Sequence, residues 1–238
     1  MRNLVLFAAA LMAFCGSAVA LFATGQHKAH DLRGYVDPTI EHNLPFRAPR
    51  LGINVELLQY TPDQLARHLQ LMDAGHIVWI RQFFRWDQIE PQPGVYNWEA
   101  WDQIVSAVAT FSDMKLVAVL VNAPAWARTT PQTTVTAAPD DPALFAAFAR
   151  AVAERYGDVI DHYQIWDEPN LTAAWGGLNP RVAQYAALLS AAYEAIHATD
   201  SKAEVIAAAL APTTEAGPTN ISDLIYLDDL YALGAQRY

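Results

Sequence analysis

The chain has 238 residues, 53% of them apolar and only 17% charged, which excludes a disordered chain and leaves room for one domain with a large core. A net charge of −10 argues against nucleic acid as a partner, because phosphate binding wants a basic face. The only cysteine is Cys15, so no internal disulfide can form, and no Cys/His spacing suits a metal ion.

Residues 1–25 read as an export segment. Arg2 supplies a positive start, Leu4 to Cys15 an apolar stretch, and Ala18-Val19-Ala20 the small-x-small pattern of a cleavage site. The apolar run continues through Leu21-Phe22-Ala23. Residues 3–23 therefore reach the ~20 residues that span a bilayer, and both a cleaved signal peptide and an uncleaved anchor are open. Phe14 before Cys15 fits the lipoprotein pattern poorly. Either outcome puts the bulk of the chain outside the cytoplasm, secreted or at the cell surface, with the anchor as its one route to a membrane. Residues 26–50 are polar, carry Pro38, Pro45 and Pro49 and have no apolar period; they read as a linker or N-terminal arm.

From Leu51 a rhythm of strand then helix begins. Leu51 to Leu57 is the first expected strand. Thr61-Pro62-Asp63-Gln64 opens a helix, with Thr as N-cap, Pro at the first helical position and Gln closing a capping box. Its buried stripe is Leu65, Leu69 and Met72. His76 to Gln82 is the second strand. A helix from about Trp98 to Phe111 turns Trp101, Ile104, Val105 and Val108 inward. Lys115 to Val121 is apolar almost throughout, as a parallel strand covered on both faces should be. Asp141-Pro142 starts the next helix, with Leu144, Phe145, Phe148, Val152 and Tyr156 as its stripe. Val159 to Trp166 is the fourth strand. Asn179-Pro180 starts another helix, Ala203 to Leu210 is the fifth strand, and a last helix starts near Ser222.

This alternation argues an α/β fold with a parallel sheet. No Gly-x-Gly-x-x-Gly follows the first strand, so a dinucleotide fold is disfavoured. The expectation is a (β/α)₈ barrel over residues 51–238, with about five of its eight units present. Eight units take ~250 residues, so the chain reads as the front part of a longer barrel. A smaller open sheet, or a barrel completed by another chain, are the alternatives.

The stretch that carries chemistry is Tyr163-Gln164-Ile165-Trp166-Asp167-Glu168-Pro169-Asn170. An apolar strand ends in two acids and then a proline, which has no N–H and cannot continue a ladder. The strand thus delivers a carboxylate to the mouth of the sheet, and Glu168 is the candidate general acid/base. The plainer reading is a solvated turn of a composition that loops favour. Ile165 to Leu171 resembles the Trp-Asn-Glu-Pro-Asn signature at the end of barrel strand four in a clan of retaining glycoside hydrolases. Cellulases, β-xylosidases and β-galactosidases are among its members.

The resemblance implies that Glu168 is the acid/base, that the substrate is a carbohydrate, and that neither cofactor nor metal takes part. It also implies a second Glu, the nucleophile, at the end of strand seven, which this sequence does not contain. Asp167 departs from the pattern, where most members have Asn. Asn both donates to and accepts from a sugar hydroxyl, whereas an ionised Asp only accepts. Strand alternation sends Asp167 and Glu168 to opposite faces, so both reach a substrate only if the strand end bends. Otherwise Asp167 would support from behind, bonded to backbone.

Retaining glycosidases hold two carboxyls about 5–5.5 Å apart. Glu56 and Glu215 lie on the correct side of the sheet to partner Glu168, although such rim acids are usually solvated. Glu90, in Ile89 to Trp98, reads as a loop-shaping residue, since that segment resembles the clan's connection after strand two. Arg81 ends the expected second strand. It is either a rim ion-pair partner or, as the clan's arginine at this place implies, a charge that holds the nucleophile ionised. Asn122 ends the third strand, and Asn122 to Ala127 looks like the clan's loop there. Trp126 either stacks on a sugar or packs in the core. Trp175, in a Gly-flanked loop, is the better stacking platform, and Asn170 completes the expected substrate contacts. Arg128 to Asp140 would wall the cleft. The rival to hydrolysis is a non-catalytic carbohydrate-binding protein on the same scaffold.

Overall fold

The computed structural model describes residues 2–32, 51–128 and 134–238. The chain divides into two units, Met1–Pro49 and Arg50–Tyr238. In the first, one helix, α1 (Arg2–Leu32), runs through the expected leader and the start of the expected arm. The rest of that arm, 33–50, lies outside the described residues. Phe7, Leu11, Met12, Phe14, Val19, Leu21 and Phe22 are all more than half exposed on α1. Among the described residues, no helix is long and apolar enough to cross a membrane.

The second unit is an arc of five parallel strands in the order β1-β2-β3-β4-β5. They are β1 (Leu51–Asn54), β2 (Ile77–Arg85), β3 (Lys115–Val121), β4 (His162–Ile165) and β5 (Glu204–Ile206). Between them run α2 (Pro62–Ala74), the single turn α3 (Trp86–Ile89), α4 (Glu99–Val108), α5 (Pro142–Tyr156) and α6 (Val182–Thr199), and α7 (Asp223–Ala232) follows β5. A doubly wound sheet reverses its strand order at a switch point; this one never does, as a barrel requires.

The helix starts follow their caps. Thr61 accepts from the Gln64 N–H while the Gln64 side chain accepts from the Thr61 N–H, and Asp141 accepts from Ala143. One face of the sheet is dry. Ile80 and Phe84 of β2, Leu116, Ala118 and Leu120 of β3, and Tyr163 and Ile165 of β4 form one core with Leu69, Trp101, Val105, Phe145, Phe148, Leu189 and Ile196 of the helices. The other face is concave and half open. Asn54, Arg81, Val117 and His162 lie in one row of the register, and Phe83, Val119, Gln164 and Ile206 in the next.

Several expected boundaries move. β1 stops at Asn54, because the Leu57 N–H turns to the buried Gln82 side chain (2.7 Å) and starts a 3₁₀ turn. β2 runs on to Arg85, paired rung by rung with β3 up to Val121. Arg81 therefore sits mid-strand on the concave face and does not end the strand. β4 and β5 are shorter than expected, α6 begins after Arg181, and Leu144 points outward.

Candidate active site

The site is built where β2, β3 and β4 end. Three residues there, none of them glycine, have left-handed backbone: Asn122 (φ +64°), Trp166 (φ +68°) and Glu168 (φ +48°). An L-residue pays about 1–2 kcal/mol for that conformation, asparagine least, and it persists only where neighbours over-determine it. Here they do. The Trp166 N–H donates to the Leu120 carbonyl (2.9 Å), and its indole N–H to the Ala174 carbonyl (3.1 Å). The Glu168 N–H donates to the Ala209 carbonyl (2.9 Å), and the Asp87 N–H to the Asn122 carbonyl (3.1 Å).

Left-handed residues on both sides of Asp167 break the strand alternation. As a result Asp167 and Glu168 line one cleft of about 260 Å³, together with Phe83, Arg85, Asn122 and Thr136. Glu168 is exposed, and among the described residues its carboxylate has no hydrogen-bond or ion-pair partner. Asp167 is held from below by side chains, not by backbone. Its Oδ1 pairs with Arg81 Nη2 (2.5 Å) and accepts from Gln164 Nε2 (3.3 Å). Arg81 also donates to Gln164 Oε1 (2.9 Å) and Asn54 Oδ1 (3.3 Å).

The charge at the true end of β2 is Arg85, which pairs with Glu56. Gln82 Nε2 donates to the same carboxylate (3.1 Å). Burial pushes Glu56 up, but its bonds to Arg85 and Gln82 outweigh this and hold it below the usual carboxylate range. It clamps the end of β1 to β2. Glu215 accepts from Asn220 Nδ2 (2.9 Å) within its own loop. Glu90 is buried and accepts from the Trp86 indole and the Gly94 N–H (both 2.7 Å), which shapes its loop.

Two expected substrate contacts are corrected. Trp175 is 1% exposed and packs edge-on between Trp166 and Tyr185, so its face meets core and not cleft. Asn170 is fully buried. Its Nδ2 donates to the Ala211 and Ile221 carbonyls (both 2.9 Å), and its Oδ1 accepts from the Ala211 N–H (3.0 Å). It latches the loop after β5 to the end of β4. Trp126 is half-buried, edge-on to Trp86, with its indole N–H on the Glu90 carbonyl (3.1 Å).

The loop after β3 does wall the cleft, through Thr136; its residues 129–133 lie outside the described residues. Thr136 Oγ1 donates to the Ala173 carbonyl (2.9 Å) and accepts from the Gly176 N–H (3.2 Å). Sequence reasoning passed over Thr136, and also Phe83, Arg85 and Gln164. For those three the signal was there: alternation from Arg81 leads to Phe83 and Arg85, and from His162 to Gln164. Asp87 was also missed. Burial pushes its carboxyl up while the neighbouring Asn122 side chain opposes the shift, and the Asp87 N–H on the Asn122 carbonyl joins the ends of β2 and β3. Among the described residues, no group of His, Cys, Asp and Glu side chains could hold a metal ion.

Comparison with known proteins agrees with this fold. Residues 58–142 match the β-galactosidase family, glycoside hydrolase family 42. A family 39 glycoside hydrolase from Bacteroides cellulosilyticus WH2 superposes with a TM-score of 0.55 at 20% identity, over 66% of this chain and 31% of its own. A monomeric β-xylosidase from Caulobacter crescentus CB15 gives 0.51 at 24%, over 65% and 35%. The exo-β-1,4-mannosidase Op5Man5 from Opitutaceae bacterium strain TAV5 gives 0.53 at 19%, over 72% and 34%. The chain thus spans about a third of the length of these structures. A search of curated proteins finds no match. Family match and fold agree: the chain carries five βα units of a (β/α)₈ barrel similar to that of glycoside hydrolases.

Proposed function

We propose that the protein hydrolyses O-glycosidic bonds in oligo- or polysaccharides by a retaining, two-carboxylate mechanism, with Glu168 as the acid/base. The observation that carries this is the left-handed turn at Trp166–Glu168. It presents to a cleft at the C-terminal end of the strands, where barrel enzymes keep their chemistry, a carboxylate that has no partner among the described residues. Protonated, Glu168 donates to the leaving glycosidic oxygen; ionised, it takes a proton from the water that releases the product. Asp167, charged and held by Arg81, offers an acceptor to a sugar hydroxyl beside it. Asn122 and Thr136 add polar groups to the cleft wall.

The attacking carboxylate is assigned outside these 238 residues. Glu56 is committed to Arg85, and Glu215 to its own loop. The activity is therefore that of the completed barrel.

The test is Glu168→Gln in that complete protein. General acid catalysis contributes about 10²–10⁴-fold. Hydrolysis of substrates with poor leaving groups should fall by that factor, and aryl glycosides with good leaving groups should suffer far less. Undiminished turnover of poor leaving groups would remove Glu168 from the role. Binding of glycans by calorimetry, with no reducing sugar released by the unmutated protein, would favour the carbohydrate-binding reading.

We further propose that residues 1–25 export the chain, on the exposed apolar side chains of α1 and the Ala18-Val19-Ala20 pattern. N-terminal sequencing of the exported protein should read from Leu21 if the segment is cleaved, and from the original N terminus if it anchors. Recovery of the whole chain from the cytoplasm alone would sink this.

A further inference from the structure

We infer that Arg81 is a positioning residue for Glu168, acting through Asp167 and Gln164. The inference rests on the reading of Glu168 as the acid/base.

Arg81 stands on β2 and Glu168 follows β4, with β3 between them. Its guanidinium crosses the concave face over β3. Nε meets Gln164 Oε1 at 2.9 Å and Nη2 meets Asp167 Oδ1 at 2.5 Å. Gln164 is almost wholly buried and turns its other end to the Trp166 carbonyl (2.8 Å) and Asp167 (3.3 Å). Asn54 Oδ1, at 3.3 Å from Nη1, braces the guanidinium from β1. Side chains from two strands, braced by Asn54 from a third, thus converge on the two residues that precede Glu168.

That convergence supplies what the backbone does not. Trp166 and Glu168 are both left-handed, so the turn must be held at every joint. The bonds from Trp166 N–H to Leu120 and from Glu168 N–H to Ala209 fix its two ends. Gln164 fixes the Trp166 carbonyl in between. Among the described residues, Arg81 and Gln164 alone hold the Asp167 side chain. The pair is about three-quarters buried, at 22% and 24% side-chain exposure. It is therefore unlike an exposed surface pair, and removing one partner leaves the other charge uncompensated.

The experiment uses the complete protein with Arg81→Met, Asp167→Asn, the double replacement, and Arg81→Lys. The first readout is amide hydrogen exchange in the peptide spanning 163–171, which needs no activity. Arg81→Met should speed exchange there at least about tenfold, with α5 and β3 unchanged. The double replacement should recover part of the loss, because no lone charge remains. Arg81→Lys keeps the charge without the planar fork. It should show the same local loosening at near-native Tm, and it decides the matter if the methionine variant does not fold.

The second readout is hydrolysis. Arg81→Met should lower kcat about 10–100-fold on poor leaving groups with KM within about twofold, and should add little in a Glu168→Gln background. Unchanged exchange at 163–171 in both Arg81 variants overturns the inference, as does a loss that multiplies in full with Glu168→Gln. If Glu168→Gln itself leaves hydrolysis intact, the acid/base reading fails separately, while the exchange data still decide whether Arg81 holds the turn.

Discussion

Asn170 and Trp175 show how far two residues can sit from what their neighbourhood in sequence suggests. Both lie within seven positions of Glu168, and both turn inward. For Asn170 the reason is the loop after β5, some forty residues on, which brings Ala211 and Ile221 onto its amide. Nothing local in Glu-Pro-Asn-Leu announces that partner. Replacing Asn170 by Ala orphans backbone groups of the buried Ala211 at about 1–3 kcal/mol each, and the half-buried Ile221 carbonyl at less. We expect about 2–4 kcal/mol of lost stability in urea unfolding, after partial relaxation of the loop. A substrate contact would behave otherwise, raising KM and leaving the unfolding midpoint alone. Glu168 and Asp167 were picked out at this scale by the apolar strand that ends on them and by the resemblance of Ile165 to Leu171 to a known signature; an acid pair before proline is by itself also the composition of a solvated turn. The bend that brings both into one cleft was not legible, since non-glycine residues with positive φ leave no mark in composition.

Elements were legible wherever their ends carry a chemical signal. The Thr61 capping box and the Asp141-Pro142 start place α2 and α5 as expected. Where such a signal is missing, the boundary drifts. β2 extends three residues past its expected end, because Phe83-Phe84-Arg85 keep alternating and keep pairing with β3. That extension changes chemistry as well as bookkeeping, since it moves Arg81 from the rim to the floor beneath Asp167. A second feature hidden at this scale is the clasp between the loops after β3 and β4. A Cβ on Gly176 would lie 2.3 Å from Ala137 Cβ, and the residue is left-handed (φ +74°). Glycine is required there on both counts. The glycine was visible as a loop marker, but its partner loop was not.

On the scale of the whole molecule, the strand–helix count was readable from hydrophobic period and caps, and the arc of five parallel strands follows it. The sequence did not disclose how the concave face is filled. That face holds a trough of about 440 Å³ between Trp79, Arg81, Val117, His162, Gln164 and Ile206. Its lower end carries a titratable group whose behaviour can be forecast. His162 sits edge-on to Trp79, ring centroids 4.8 Å apart, with Lys115, Asp161 and Glu204 close enough to act on its charge. Burial pushes its pKa down and Lys115 pushes the same way; Asp161 and Glu204 oppose them and lose. A depressed histidine pKa means the unfolded chain takes up the proton more readily than the folded one. Its contribution to stability is therefore complete above the unfolded value of about 6.5, and is lost as pH falls through the lower folded value. His162 is half exposed, so solvent screening keeps the contribution under about 1 kcal/mol, or about 1–3 °C in Tm for a unit of this size. His162→Gln should lower Tm slightly at every pH, through the lost ring contact with Trp79. It should also flatten the decline between about pH 7 and pH 5 by that 1–3 °C. Thermal melts of both proteins across that range measure the slope directly. Parallel slopes would mean that His162 titrates alike in the folded and unfolded states, and that the trough floor is wetter than its packing indicates.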